Sequence, residues 1–353
     1  MSHHAHALEK GSIMKSTKPS YNLVMFGVLL AVCVVVLGAF TRLKDAGLGC
    51  PDWPTCYGHY MLWPETPEEI AAANALHPEF PFDETIAWPE VVHRYFATTL
   101  GLVIIAINII AWRNRHNYGQ PMKLPLFLLA LVIAQGLFGM WTVTLKLWPQ
   151  VVTAHLLGGF STLSLLWLLA MRLDNRSWAR PDVPLLQWES LKRLALGGLI
   201  LVVLQILLGG WTSSNYAALA CPDLPTCQGQ WLPPMDFAQG FNVFQEIGPN
   251  YLGGQMDGEA RVAIHFMHRV GAIVVALYLL FLITRMRKIS GGVGMRAHAT
   301  LMFVLLLVQV GLGISNVVWS LPLAIAVAHN AVGALLLLSL VTLNYRLHRG
   351  SSW

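Results

Sequence analysis

Eight apolar stretches, each long enough to cross a hydrocarbon core of roughly 30 Å, divide this chain at about 22–42, 92–112, 124–144, 151–172, 194–213, 264–284, 299–318 and 322–344. A backbone in lipid must satisfy its own polar groups, which leaves only helices and closed barrels as spanning structures. Each stretch is a continuous run of Leu, Val, Ile and Ala rather than a short segment of alternating polarity, so the stretches read as helices. Only 12% of the 353 residues are charged and mean hydropathy is +0.55. Those values exclude a soluble domain, in which about a quarter of residues would be charged, and a disordered chain. The expected fold class is an all-α polytopic membrane protein. The segment before the first stretch carries His3, His4, His6, Lys10, Lys15 and Lys18, and the stretch itself is too long for a cleavable signal and lacks a small-residue cleavage site. It is expected to be retained. The same segment is not Arg-rich, which points to the bacterial cytoplasmic (inner) membrane rather than to an organelle.

Orientation follows from the basic residues. With both termini in the cytoplasm, 17 of the 23 Lys and Arg fall inside: Lys10, Lys15, Lys18, Arg113, Arg115, Lys123, Arg172, Arg176, Arg180, Lys192, Arg193, Arg285, Arg287, Lys288, Arg296, Arg346 and Arg349. The two long outer loops then hold 14 of the 18 acids. The net charge of +5 is accounted for by this asymmetry and calls for no nucleic-acid partner.

The chain repeats itself. The segment Leu37–Gly58, LGAFTRLKDAGLGCPDWPTCYG, matches Leu208–Gly229, LGGWTSSNYAALACPDLPTCQG, without a gap at an offset of 171. His93-Arg94 recurs as His268-Arg269 at 175, and Gln135 and His155 recur as Gln309 and His329 at 174. Each half holds four stretches, an even number, so the halves are expected to be related by an axis along the membrane normal. The expected organisation is a cytoplasmic tail over 1–21, a four-helix bundle over 22–172, a cytoplasmic linker over 173–193, a second four-helix bundle over 194–346 and a tail over 347–353, the bundles being related by a pseudo-twofold.

His93 and His155 open two stretches that begin on the same outer side, so their imidazoles lie at similar depth and can face one another; His268 and His329 repeat the relation. Two neutral imidazoles from opposite helices suit axial ligation of haem iron within a bundle core. A single membrane histidine more often hydrogen-bonds across helices, but four in two matched pairs point to two haem-sized metal sites. Gly158, Gly159 and Gly333 would let a flat macrocycle approach the backbone, or serve ordinary helix packing. The halves differ at one nearby position, Glu90 against His265. At i, i+3, Glu90 shares a face with His93, in the first turn of a helix that Pro89 is suited to begin. There it serves either as a base or cation stabiliser or as an i, i+4 partner of Arg94. His265 competes with His268 as iron ligand, and the repeat favours His268.

Cys50 with Cys56, and Cys221 with Cys227, frame two C-P-D-x-P-T-C loops on the side where disulfides persist. Closing so short a loop is worth about 2 kcal/mol in the chain-entropy model, and both a structural and a redox role fit. Cys33 has no counterpart and is read as a packing residue. Arg42, Arg94 and Arg269 sit near the outer helix ends, where they either meet haem propionates or snorkel to the interface. Trp53, Trp63, Trp88, Trp148, Trp211 and Trp231 read as an aromatic belt, and loops 43–91 and 214–263 as covers over the two cavities.

Taken as a set, the T-R-L ending the first stretch, the G-L and cysteine pair after it, the E-x-x-H-R opening the second stretch, the three later histidines and the four-plus-four repeat resemble the haem A synthase family, over Asn22 to Leu347. The resemblance implies an oxidoreductase that converts the C8 methyl group of haem O to a formyl group by successive hydroxylations, giving haem A for terminal oxidases. It implies haem b held by His268 and His329, and substrate haem O held by His93 and His155 with Glu90 at the reacting edge. The implied partners are haem O, which a haem O synthase could deliver, and an electron acceptor; membrane lipid surrounds the helices, and a homo-oligomer is compatible with the sequence, which leaves the oligomeric state open. Two other classes use parts of the same pattern. A di-haem b electron-transfer protein would carry two equivalent haems, and a parallel-repeat transporter would show broken helices with polar residues at mid-membrane.

Overall fold

Every apolar stretch forms one helix, and nearly all the helices outrun their apolar runs. The computed structural model describes residues 2–60, 62–117, 120–174, 178, 183–289 and 293–349, with side chains from Ser20 onward. The membrane-length helices are α1 (Ser2–Leu43), α3 (Glu84–Arg113), α4 (Lys123–Thr144), α5 (Pro149–Asp174), α6 (Leu185–Ser214), α8 (Gly258–Ile289), α9 (Val293–Val318) and α10 (Leu323–Arg349). Eight segments in these helices, the first beginning at Ser20, are long and apolar enough to cross a membrane. Short helices α2 (Pro67–Leu76) and α7 (Phe237–Gly240) lie in the two long loops. Thr66 and Glu69 close a reciprocal capping box at the start of α2. Arg176 and Arg180, placed in the linker by the charge pattern, lie outside the described residues, and Lys192 and Arg193 belong to α6 rather than to a linker.

The start of α3 corrects the expectation drawn from Pro89. Asp83 caps this helix, its carboxylate accepting the Thr85 N–H at 2.8 Å, so Pro89 lies inside it. His93 falls in the third turn, not the first. Glu84 and Thr85 are polar and escape a hydropathy reading, yet Asp83 is a strong stop for the backbone donors beside it.

In the first half α1 packs on α3 and α5, and α4 packs on the same two, which closes a ring of four. In the second half α6 packs on α8 and α10, and α9 closes that ring. The halves meet through α1–α10, α5–α6 and α5–α10. Exchanging the halves leaves this set of neighbours unchanged. The backbone repeats in detail: φ is positive at Asp45 and Tyr216, at Tyr57 and Gln228, at Lys146 and Ser320, and at Leu147 and Leu321.

Apolar packing occupies the part of the bundle away from the long loops, with Ile104, Leu128, Leu166, Leu191, Leu279 and Leu340 fully buried. Because lipid tails are as apolar as these side chains, close packing and cross-helix hydrogen bonds hold the helices together. Trp167 Nε1 donates to Thr342 Oγ1 at 2.7 Å, and Tyr345 OH donates to the Met171 carbonyl at 3.1 Å. Both bonds join the two halves, and the apolar end thereby fixes helices whose loop-side ends carry the histidines.

Candidate functional site

His93 on α3 and His155 on α5 face each other across the first bundle, with ring centroids 6.4 Å apart and planes at 86°. Imidazole nitrogens bind metals at about 2.0–2.1 Å, so two rings on opposite sides of one ion have centroids about 6.3 Å apart once a ring radius of about 1.1 Å is added on each side. The observed spacing fits that arrangement. Nδ1 of both rings is buried without a hydrogen-bond partner, a condition native interiors seldom leave unexplained. The site also has room built into its walls. A Cβ added at Gly38 on α1 would lie 3.0 Å from His93 Cε1, and one at Gly139 on α4 would lie 3.5 Å from His155 Cε1. In the second bundle, Gly209 on α6 stands in the same relation to His268 at 3.2 Å, and Gly313 on α9 to His329 at 3.2 Å.

Each histidine is thus met edge-on by a glycine of a neighbouring helix, at positions the repeat pairs. Sequence reasoning singled out other glycines. Gly158 and Gly333 face Gln135 and Gln309, and Gly159 has nothing within 4 Å. Gly38 and Gly209 could have been found, since both lie in the repeated LGAFT and LGGWT segments. Among the described residues no three His, Cys, Asp or Glu side chains converge on a point that could hold a bare metal ion. Two-nitrogen sites of this kind suit a planar ligand that brings its own equatorial donors.

The second half adds polar partners that the first lacks. Gln205 Nε2 lies 3.1 Å from His268 Nδ1 and donates to the His268 carbonyl at 2.9 Å. Gln309 Nε2 lies 3.2 Å from His329 Nε2. In the first half Gln135 Nε2, the repeat counterpart, has no hydrogen-bond partner.

Glu90 and His265 occupy equivalent positions and make equivalent bonds. Cys50 N–H donates to Glu90 Oε2 at 3.0 Å, and Arg94 holds Glu90 Oε1 at 2.5 Å. Cys221 N–H meets His265 Nδ1 at 3.2 Å, and Arg269 Nε meets His265 Nε2 at 3.3 Å. Both nitrogens of His265 are therefore occupied by the loop and by arginine, while His268 faces the bundle interior. Glu90 is only 5% exposed, and its charge is met at both oxygens.

The two arginines clamp the disulfide loops. Arg94 donates to the carbonyls of Thr55 at 2.7 Å and Asp52 at 3.1 Å; Arg269 donates to those of Thr226 at 2.9 Å and Asp223 at 2.8 Å. Both disulfides, Cys50–Cys56 and Cys221–Cys227, are formed. Within each loop an aspartate gathers donors: Asp52 accepts from Thr55 Oγ1 and from the N–H of Tyr57 and Gly58, and Asp223 from Thr226 Oγ1 and the N–H of Gln228 and Gly229. Burial pushes the Asp52 carboxyl upward, but these hydrogen bonds outweigh it and hold the group below the ordinary carboxylate value. Burial, aided by the charges of Asp52 and Glu90, pushes the Tyr57 phenol up to about 12.

Arg42 joins the halves. It donates to the Ser213 carbonyl, pairs with Asp45 at 3.3 Å and lies 4.1 Å over the Tyr216 ring. The second loop also reaches across: Tyr251 N–H donates to the Lys146 carbonyl at 3.0 Å, Trp148 Nε1 to Gln245 O at 3.2 Å, and Gln150 Nε2 to Val243 O at 3.0 Å. It therefore covers the α4–α5 turn above His155. The tryptophans divide accordingly. Trp53 and Trp231 are exposed, as a belt requires, whereas Trp211 is buried and donates to the Gly240 carbonyl at 2.8 Å. Cys33 is exposed on α1 and not packed.

Residues 21–341 match the COX15-CtaA family, described as cytochrome oxidase assembly protein. The chain is 46% identical to a heme A synthase of Shewanella oneidensis over 331 residues, covering 94% of this chain and 97% of that protein. It is 29% identical to a heme A synthase of Rhizorhabdus wittichii over 343 residues, 91% of each. A heme A synthase of Halalkalibacterium halodurans is 27% identical over 329 residues, 90% of this chain and 95% of that protein.

Proposed function

This chain belongs to the COX15-CtaA family of cytochrome oxidase assembly proteins, and on that premise we propose that it acts as a haem A synthase, oxidising the C8 methyl group of haem O to a formyl group. The observation that carries this reading is the facing His93–His155 pair, spaced at 6.4 Å for a ligand held between them and repeated by His268 and His329. His93 and His155 hold the iron of the substrate. Two successive hydroxylations, each adding the oxygen of one water to the methyl carbon while two electrons pass to an external electron acceptor and two protons are released, give a gem-diol, which loses water to leave the aldehyde. His268 and His329 hold haem b, which when bound supplies a one-electron relay.

The chain's own groups position and exclude. Glu90, fixed by Cys50 N–H and Arg94 one turn from His93, steers water toward the reacting edge and stabilises positive charge developing there. Fixed in advance, it reorganises little as charge develops. The second loop, bonded to the α4–α5 turn, limits solvent access from above. Arg42 keeps a buried Nε without a partner, which supports assigning it to a propionate although its two terminal nitrogens are engaged by Ser213 and Asp45. Arg94 and Arg269 would have to release loop carbonyls to take one. The inner membrane of a bacterium, with both termini cytoplasmic, fits the concentration of Lys and Arg at the end away from the long loops.

The test is expression in cells that make haem O but no haem A, followed by acid extraction and chromatography of the pigments. Haem A should appear, and Glu90→Gln should leave haem O unconverted on the protein. Unconverted haem O with the intact chain, together with two tightly held haem b, would instead establish an electron carrier. The Glu90 and His265 exchange speaks against that second reading, and the continuous membrane-length helices among the described residues speak against a transporter.

A further inference from the structure

We infer that Gln205 is the positioning residue that makes the second bundle retain its haem, and that the first bundle exchanges its haem because it lacks the equivalent amide. The inference rests on the proposal that His268 and His329 hold a haem. Gln205 on α6 approaches Nδ1 of His268 at 3.1 Å and anchors itself on that residue's carbonyl at 2.9 Å. With Nδ1 occupied, Nε2 is the nitrogen left to face the bundle. With iron on Nε2, Nδ1 would carry the proton, and a half-turn of the amide would let Oε1 accept it in exchange for the bond to the carbonyl. A partner on the far nitrogen fixes a metal-binding imidazole's orientation and raises its basicity.

Space for this amide is built in. A Cβ on Gly271, three residues after His268 on α8, would collide with Gln205 Oε1. In the first half the repeat places Val34 at the position of Gln205 and Phe96 at that of Gly271. Neither the amide nor the notch exists there: no side chain bonds His93 Nδ1, and the backbone of Val34 is what approaches the ring. The two halves thus differ at two linked positions, one that meets the histidine and one that makes room for the side chain that does. A site that must release its product gains from the weaker hold, and a site that keeps its haem through every turnover gains from the stronger.

Two variants break the contact in different ways. Gln205→Met keeps volume and loses the amide; Gly271→Ala keeps the amide and displaces it, at the flexible end of a side chain. The measurement uses full-length protein purified with its haem b, transferring haem to excess apomyoglobin, together with a redox titration. Both variants should lose the retained haem b on the order of 10-fold faster or more, and its midpoint potential should rise because the imidazole becomes a weaker donor to ferric iron. Loss from the first bundle should be unchanged. An unaltered loss rate and potential in both variants, with His268→Ala still abolishing the retained haem, would overturn the role of Gln205 while leaving the haem assignment intact. If His268→Ala kept the retained haem, the underlying assignment itself would fail.

Discussion

Laid against each other by the repeat, the two disulfide loops share the bonds of their aspartates and clamping arginines, whereas the groups around the histidines do not match. Asp52 and Asp223 gather the same hydroxyl and amide donors, and Arg94 and Arg269 grip the same carbonyls. One turn from each histidine, however, a carboxylate faces an imidazole, and Gln205 has Val34 as its counterpart. Duplication preserved what holds the loops to the helices. What differs are a few side chains around the histidines, which the proposed division between a reacting and a retaining site turns on. The common scaffold explains how a carboxylate and an imidazole can stand at equivalent positions: the two polar contacts there, a backbone amide and an arginine anchored on the loop, accept either Glu90 or His265.

The largest effects should come from the ligands themselves. His268→Ala and His329→Ala should remove the resident haem b from purified protein, as read by the pyridine haemochrome spectrum, while His93→Ala and His155→Ala should keep it and lose haem A formation. Equal loss of pigment in all four variants would erase the distinction between the halves. Next comes the exchanged position. Glu90→His, which installs the second half's residue, should keep Arg94 and the Cys50 amide engaged yet slow haem A formation by on the order of 100-fold. His265→Glu should leave turnover nearly unchanged. Similar rates in the two variants would show that the difference at this position is not catalytic.

The arginine clamps sharpen the comparison through stability. Arg94→Leu leaves a carboxylate buried without its partner, at a cost of about 3–5 kcal/mol. Arg269→Leu leaves neutral groups unpaired, at about 1–3 kcal/mol. Thermal unfolding in detergent should therefore show a larger fall for Arg94→Leu, and a reversed order would contradict the bonding of Glu90. The smallest effect concerns Tyr57, whose counterpart is Gln228. Its hydroxyl donates to the Phe80 carbonyl at 2.9 Å. Its raised value means that the neutral phenol stabilises the fold fully below pH 10 and that this contribution is lost as pH rises from 10 toward 12. Ultraviolet titration should show a tyrosine ionising near pH 12 that disappears in Tyr57→Phe.

The membrane helices, the repeat, both cysteine pairings and the opposition of His93 and His155 were legible in the sequence, because each rests on spacing or on side-chain chemistry that a linear pattern preserves. The start of α3 was not, because Asp83 caps a turn too polar to register as membrane helix, and Pro89 looked like the better start. Nor was the grip of Arg94 and Arg269 on the loops, because their acceptors are backbone carbonyls, which no residue letter records. Gln205 was missed although the offset of 171 pairs it with Val34; an isolated glutamine in a membrane helix acquires meaning only when the structure puts it 3.1 Å from a histidine nitrogen.

The central claim is that one scaffold, used twice, holds one haem to react and leave and another to stay. Its most direct test is to load purified protein with natural haem, add iron-57-labelled haem, and follow Mössbauer signals over time in the intact chain and in His93→Ala and His268→Ala. One pool should take up label while the other does not, with His93→Ala removing the exchanging pool and His268→Ala the static one. Two pools that exchange at the same rate would contradict the account.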